Sequence, residues 1–148
     1  MLPQFTPEEL IENFQVFDDW EQRYGYLIDL GKQLPPYPEE ARNEAHRVRG
    51  CVSNVWIVAE QDEEKRLVFL GDSDAFIVKG LIAVVFILCN NKTPADILSL
   101  DISHIFSELS LAQHLTPSRS NGLYSMINYV RRLAQATGSQ AGEQGSAG

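Results

Sequence analysis

The chain has 148 residues, 44% of them hydrophobic and 22% charged. That is the length of one domain with the means to bury its own core, so a wholly disordered chain is excluded; two cysteines are too few for a disulfide framework. Twelve Lys plus Arg stand against 20 Asp plus Glu, for a net charge of -8, a balance that repels phosphate backbones and argues against a nucleic-acid partner.

The first residues, Met1-Leu2-Pro3-Gln4-Phe5, carry neither the basic-then-apolar order of a secretory signal nor the arginines of a transit peptide. With two thiols besides, a cytoplasmic protein in a reducing compartment is expected. Thr6-Pro7-Glu8-Glu9 is a helix start: Thr6 caps, Pro7 suits the first helical position and Glu9 completes a capping box. A second helix is expected from Asp18, with Trp20, Tyr24, Leu27 and Ile28 as its apolar stripe and Gly31 as its stop. Leu34-Pro35-Pro36-Tyr37-Pro38 cannot be helical, and Glu39 to Ala45 is read as one short helix.

The period then changes from helical to alternating. Cys51 to Glu60 reads as a strand rich in β-branched and aromatic residues, with Val52, Trp56 and Val58 on one face and Val55 and Ile57 on the other. Gln61-Asp62-Glu63-Glu64 is a polar turn and Leu67 to Leu70 a second strand, which together make an antiparallel hairpin. Gly71-Asp72-Ser73-Asp74 is read as a capping segment. Ala75 to Cys89 is apolar except for Lys79 and Gly80. A helix there would span about 22 Å, short of a ~30 Å hydrocarbon core, so it is expected to be the central buried helix.

Thr93-Pro94-Ala95-Asp96 starts a short helix by the same capping logic, and Ile102 to Leu109 is a further one. After the polar run Ser118 to Gly122, Leu123, Met126, Ile127, Val130 and Leu133 mark a long amphipathic helix, with Arg131 and Arg132 placed near its C-terminal end. The tail, 138–148, holds four of the chain's ten glycines and no large apolar residue, so it is expected to be disordered beyond a domain spanning 1–137. Helices, a hairpin, then helices imply an α+β domain: a small antiparallel sheet packed against several helices.

Chemistry concentrates at Cys51, which follows Gly50 at a strand edge and has His46, Arg47 and Arg49 just before it. Cationic neighbours lower a thiol pKa and favour the nucleophilic thiolate; a buried structural thiol is the other reading, and the local residues leave both open. Cys89 ends the apolar helix and reads as structural. His46, His104 and His114 have no motif that pairs one of them with a cysteine as a hydrolase would need, and no CxxC or Cys/His pair stands at zinc-ligand spacing. Ser118-Arg119-Ser120 suits an anion or a partner's carboxylate as well as a solvated helix start.

Three blocks carry a resemblance. Gly50-Cys51-Val52-Ser53-Asn54-Val55-Trp56 resembles the signature of the SufE family, sulfur-acceptor proteins of iron–sulfur cluster assembly. Gly71 to Ala75 with Ile77 to Leu81 resembles the family's second block, and His114 to Ser120 with Gly122 its third. Val52 stands where many members carry Gln, and His46 to Arg49 is more basic than in relatives. The resemblance implies a SufE/IscU-like fold and a catalytic Cys51 that takes persulfide sulfur from a pyridoxal-phosphate-dependent (PLP-dependent) cysteine desulfurase of the SufS type. Cys51 would then pass the sulfur to an iron–sulfur scaffold complex of the SufBCD type, and uptake would stimulate the desulfurase. It further implies no cofactor of the chain's own, no membrane, and no turnover without the desulfurase: a sulfurtransferase-type carrier. By the same resemblance Gly50, Ser53, Asp74, His114 and Arg119 are partner-binding or loop-supporting. A cluster scaffold would need three or four ligands, mostly thiolates, more than two cysteines supply; a passive interaction module is the remaining alternative.

Overall fold

In the computed structural model, which describes residues 2–147 and the side chains of 2–138, the architecture is built around one helix, Phe76–Cys89 (α3 below). Eleven of its fourteen residues are buried, so other elements surround it on all sides. Among the described residues no helix is long and apolar enough to cross a membrane.

The chain reaches that helix through α1 (Pro7–Gln15), α2 (Trp20–Lys32), single 3-10 turns at Glu39–Ala41 and Glu44–His46, and the antiparallel strands β1 (Val55–Gln61) and β2 (Leu67–Ser73). After α3 come α4 (Pro94–Ser99), α5 (Ile102–Glu108), a 3-10 turn at Ala112–His114 and α6 (Pro117–Ala147). This is the expected α+β arrangement, with helices packed on a two-stranded sheet. The last turns of α6 run through the segment read as a tail, most of whose side chains lie outside the described residues.

Local signals act where they were expected. Thr6 Oγ1 accepts from the Glu9 amide while Glu9 Oε1 accepts from the Thr6 amide, closing the capping box of α1. Thr93 Oγ1 accepts from the Asp96 amide at the start of α4. The start of α2 is one residue later than expected, with Asp19 as the cap on the Gln22 amide.

Gly31 does not stop α2; the helix continues to Lys32. A Cβ on Gly31 would lie 2.7 Å from the backbone nitrogen of Gly80, and one on Gly80 would strike the Leu27 carbonyl oxygen. The two glycines let α2 and α3 touch backbone to backbone, so the residue that looks like a helix terminator is a packing contact. Leu10 and Phe14 of α1, Leu27 and Leu30 of α2, and Leu123, Met126 and Val130 of α6 complete the core with the hairpin's Val55, Ile57, Leu67 and Phe69. Each such large side chain contributes about 1.5–3 kcal/mol through burial.

The hairpin register, Val55 opposite Ser73 and Gln61 opposite Leu67, differs from expectation at both ends. The first strand begins at Val55, not Cys51, because the polypeptide from Gly50 to Asn54 leaves the sheet; an isolated bridge from Arg47 to Trp56 and the Val48 amide on the Val55 carbonyl hold its outer edge. The second strand runs on through Gly71-Asp72-Ser73, the segment read as a cap. Asp72 instead accepts from Arg42 at 2.7 Å, with Lys79 Nζ 3.6 Å away. Arg42 also lies over the rings of Tyr37 and Trp56. Arg131 is far from the end of its helix; its guanidinium donates to the carbonyls of Leu98 and Leu100 at 3.3 Å, closing the end of α4.

Candidate functional site

The loop from Gly50 to Asn54 is held against α6 by its backbone. Gly50 has φ +90, a region that costs an L-residue with a Cβ. A Cβ there would also stand 2.5 Å from Ser125 Oγ. The turn directs Cys51 at the helix, where its Sγ donates to the Gly122 carbonyl at 3.5 Å. Gly122 has no side chain to hold the thiol off: a Cβ there would already touch Sγ at 3.5 Å.

Beside the thiol is a small cavity of about 30 Å³, where a single water needs roughly 10–15 Å³. Val78 and Leu81 of α3 and Met126 of α6 form its apolar walls, while Val52, Ser53, Ser118 and Arg119 lie around it. Met126 was legible as part of the apolar stripe of α6, and Val78 and Leu81 as core residues within the second block of the resemblance. Nothing in the sequence marked them as neighbours of a thiol, because the three positions converge only when α3, α6 and the loop pack.

Burial, with Cys51 neither sealed nor open, pushes the thiol up from its ordinary value, and Arg47 pulls it only partly back. Between the two readings that the local residues left open, burial therefore outweighs the basic segment. Arg47 is engaged with Glu44 at 3.3 Å, Arg49 Nη2 lies 3.8 Å from the same carboxylate, and His46 is hydrogen-bonded to Asn43. Cys89 is fully buried, and desolvation pushes it up to about 12. It lies eight residues past Leu81 on the same helix, about 12 Å along the axis, so the two thiols belong to different ends of α3.

The other expected site residues divide by position. Asp74 accepts from the Asn54 amide at 3.2 Å and from Asn54 Nδ2 at 2.9 Å, so it fastens the far end of the cysteine loop to the entry of α3. Ser53 and Arg119 line the cavity; Arg119 is exposed and makes no ion pair among the described residues. His114 is not among the lining residues. Its ring stacks on Trp20 with centroids 3.7 Å apart, its Nδ1 meets the Ser110 carbonyl at 2.9 Å, and its own carbonyl accepts from the Tyr24 hydroxyl. It ties the lead-in of α6 to α2. Among the described residues no three His, Cys, Asp or Glu side chains stand together as a metal site would require. What the arrangement offers is one thiol at a loop tip, with room beside its sulfur for little more than an added atom.

Two comparisons bear on this site. The family described as "SufE: Fe-S metabolism associated domain" matches residues 8–134, a span that holds the loop, both cavity helices and Asp74. The fold is similar to the solution structure of a hypothetical protein from Thermus thermophilus, with a TM-score of 0.74 at 19% identity, over 94% of this chain and 99% of that one.

Proposed function

The chain belongs to the SufE family of Fe-S metabolism, and we propose that within it the protein is a covalent sulfur carrier. Cys51 takes the terminal sulfur of a persulfide held by a PLP-dependent cysteine desulfurase of the SufS type. The Cys51 thiolate attacks the outer sulfur, the desulfurase sulfur–sulfur bond breaks, and the desulfurase cysteine leaves as its thiolate. No electrons are gained or lost overall, and no base or cofactor of the chain's own is needed. Relieving the desulfurase of its load stimulates it. The same exchange in the forward direction delivers sulfur to an iron–sulfur scaffold complex of the SufBCD type.

The observation that carries this reading is the Cys51 thiol facing a cavity of about 30 Å³ with apolar walls. A persulfide is easily oxidised and easily reduced, and a site that admits one further atom but no large reagent shelters it. The raised thiol fits a carrier that rests unreactive. Thiolate then forms when docking draws the loop away from Gly122 or brings a positive charge to it.

The test is mass spectrometry of the chain after incubation with a cysteine desulfurase and free cysteine. Wild type and Cys89→Ser gain one sulfur atom, mapped to Cys51, and both raise the desulfurase turnover. Cys51→Ser gains none and raises nothing while keeping its fold. Sulfur loading of the Cys51→Ser protein would overturn the reading.

A further inference from the structure

Behind the cysteine loop lies a second recess of about 400 Å³, lined by Arg49, Ser125, Asn128, Arg131, Arg132 and Gln135. Three guanidinium groups meet there with two amides and a hydroxyl, and no carboxylate lines it. In a chain of net charge -8 such a concentration of one sign is a feature of the fold. Ser125, Asn128, Arg132 and Gln135 recur at steps of three and four residues along one face of α6, and Arg49 is brought to them from 76 positions upstream of Ser125. The nearest opposing charge is Glu44, 3.8 Å from Arg49 on an exposed pair, which contributes little. Arg131 uses Nη1 on two carbonyls, leaving its other donors available; Arg132 rests over Tyr129.

We propose that this recess is a docking site for an acidic segment of the sulfur-donating protein, a stretch of chain that presents two or more carboxylates. The occupant follows from chemistry and place. Guanidinium forks match carboxylates two hydrogen bonds at a time. A nucleic acid would extend its phosphates beyond the recess over a chain whose net charge of -8 repels them. The recess also abuts the loop: Ser125, one of its lining residues, is the residue against which Gly50 is packed. A segment seated there lies next to the cysteine loop, so the donor is held beside Cys51.

The proposal rests on the sulfur-carrier reading, and the experiment separates the two. Arg49→Glu combined with Arg132→Glu is compared with wild type and with Arg132→Lys. Binding to the desulfurase is measured by titration calorimetry at several salt concentrations, and sulfur uptake is measured from a small-molecule donor, cysteine persulfide. The double charge reversal weakens desulfurase binding about tenfold and flattens its salt dependence, while Arg132→Lys, which keeps the charge but loses the fork, binds between the two with the wild-type salt dependence. Uptake from cysteine persulfide and the melting temperature are the same in all three. Unchanged desulfurase affinity and salt dependence in the reversed protein overturns the docking site while leaving the carrier intact. Failure of wild type itself to take sulfur from either donor overturns the carrier reading first.

Discussion

Gly122→Ala separates stability from function at one atom. Gly122 is the sixth residue of α6, inside the helix, where alanine is favoured over glycine by about 1 kcal/mol. The new Cβ would stand 3.5 Å from Cys51 Sγ and 3.8 Å from its Cα and Cβ, all ordinary contact distances. Nothing offsets the helix gain, so the reduced protein is stabilised by about 1 kcal/mol, or about 3 °C in melting temperature for a chain of this length. The cavity beside Sγ measures about 30 Å³, and Gly122 is part of its wall, so the methyl occupies room that a terminal sulfur needs. Persulfide forms more slowly on the variant and is lost faster to a mild reductant. Calorimetry reads the first effect. Time-resolved mass spectrometry of Cys51 after loading, with and without added thiol, reads the second. A lower melting temperature would show that the loop and helix are already too tight for a methyl. Wild-type loading and persistence on a stabilised protein would refute the claim that the cavity shelters the added atom.

Two further outcomes follow from the same loop. Gly50→Ala meets both a positive φ and Ser125 Oγ at 2.5 Å; it costs at least about 1–2 kcal/mol in urea denaturation, speeds alkylation of Cys51, and is only partly rescued by Ser125→Ala, which removes the hydroxyl but leaves a Cβ at 3.3 Å and the dihedral. The pH profile of Cys51 alkylation has its midpoint above the ordinary thiol value of 9.0 because burial disfavours the thiolate, and Arg47→Ala moves it higher still by removing the one charge that opposes burial; a midpoint that stays put or falls in the variant contradicts that assignment.

What could be read from the chain alone depended on how far each signal reaches. The capping box at Thr6, the threonine cap at Thr93, the period change at the hairpin and the apolar run of α3 each act within about four residues of themselves. The caps and α3 appear in the structure where the sequence placed them, to within a residue, whereas β1 begins four residues later than read and β2 ends three residues later. The likeness of three blocks to SufE proteins singled out Cys51 because a motif is likewise local. Gly31 shows the limit: its own neighbours mark it as a helix stop, and only α3, through Gly80, makes it a contact between helices. Asp72 is similar, since its partners are Arg42, thirty positions earlier, and Lys79 across the strand end.

The thiol's character was decided by the tertiary structure. Local charges at Arg47 and Arg49 left an activated and a structural cysteine both open; desolvation by Val78, Leu81 and Met126, with the contact to Gly122 71 positions away, outweighs the charges. Which cysteine the carrier reading names is written in the chain. Its resting reactivity, and the recess of three arginines behind it, depend on how much water and which charges remain near the sulfur once helices distant in sequence have closed around it.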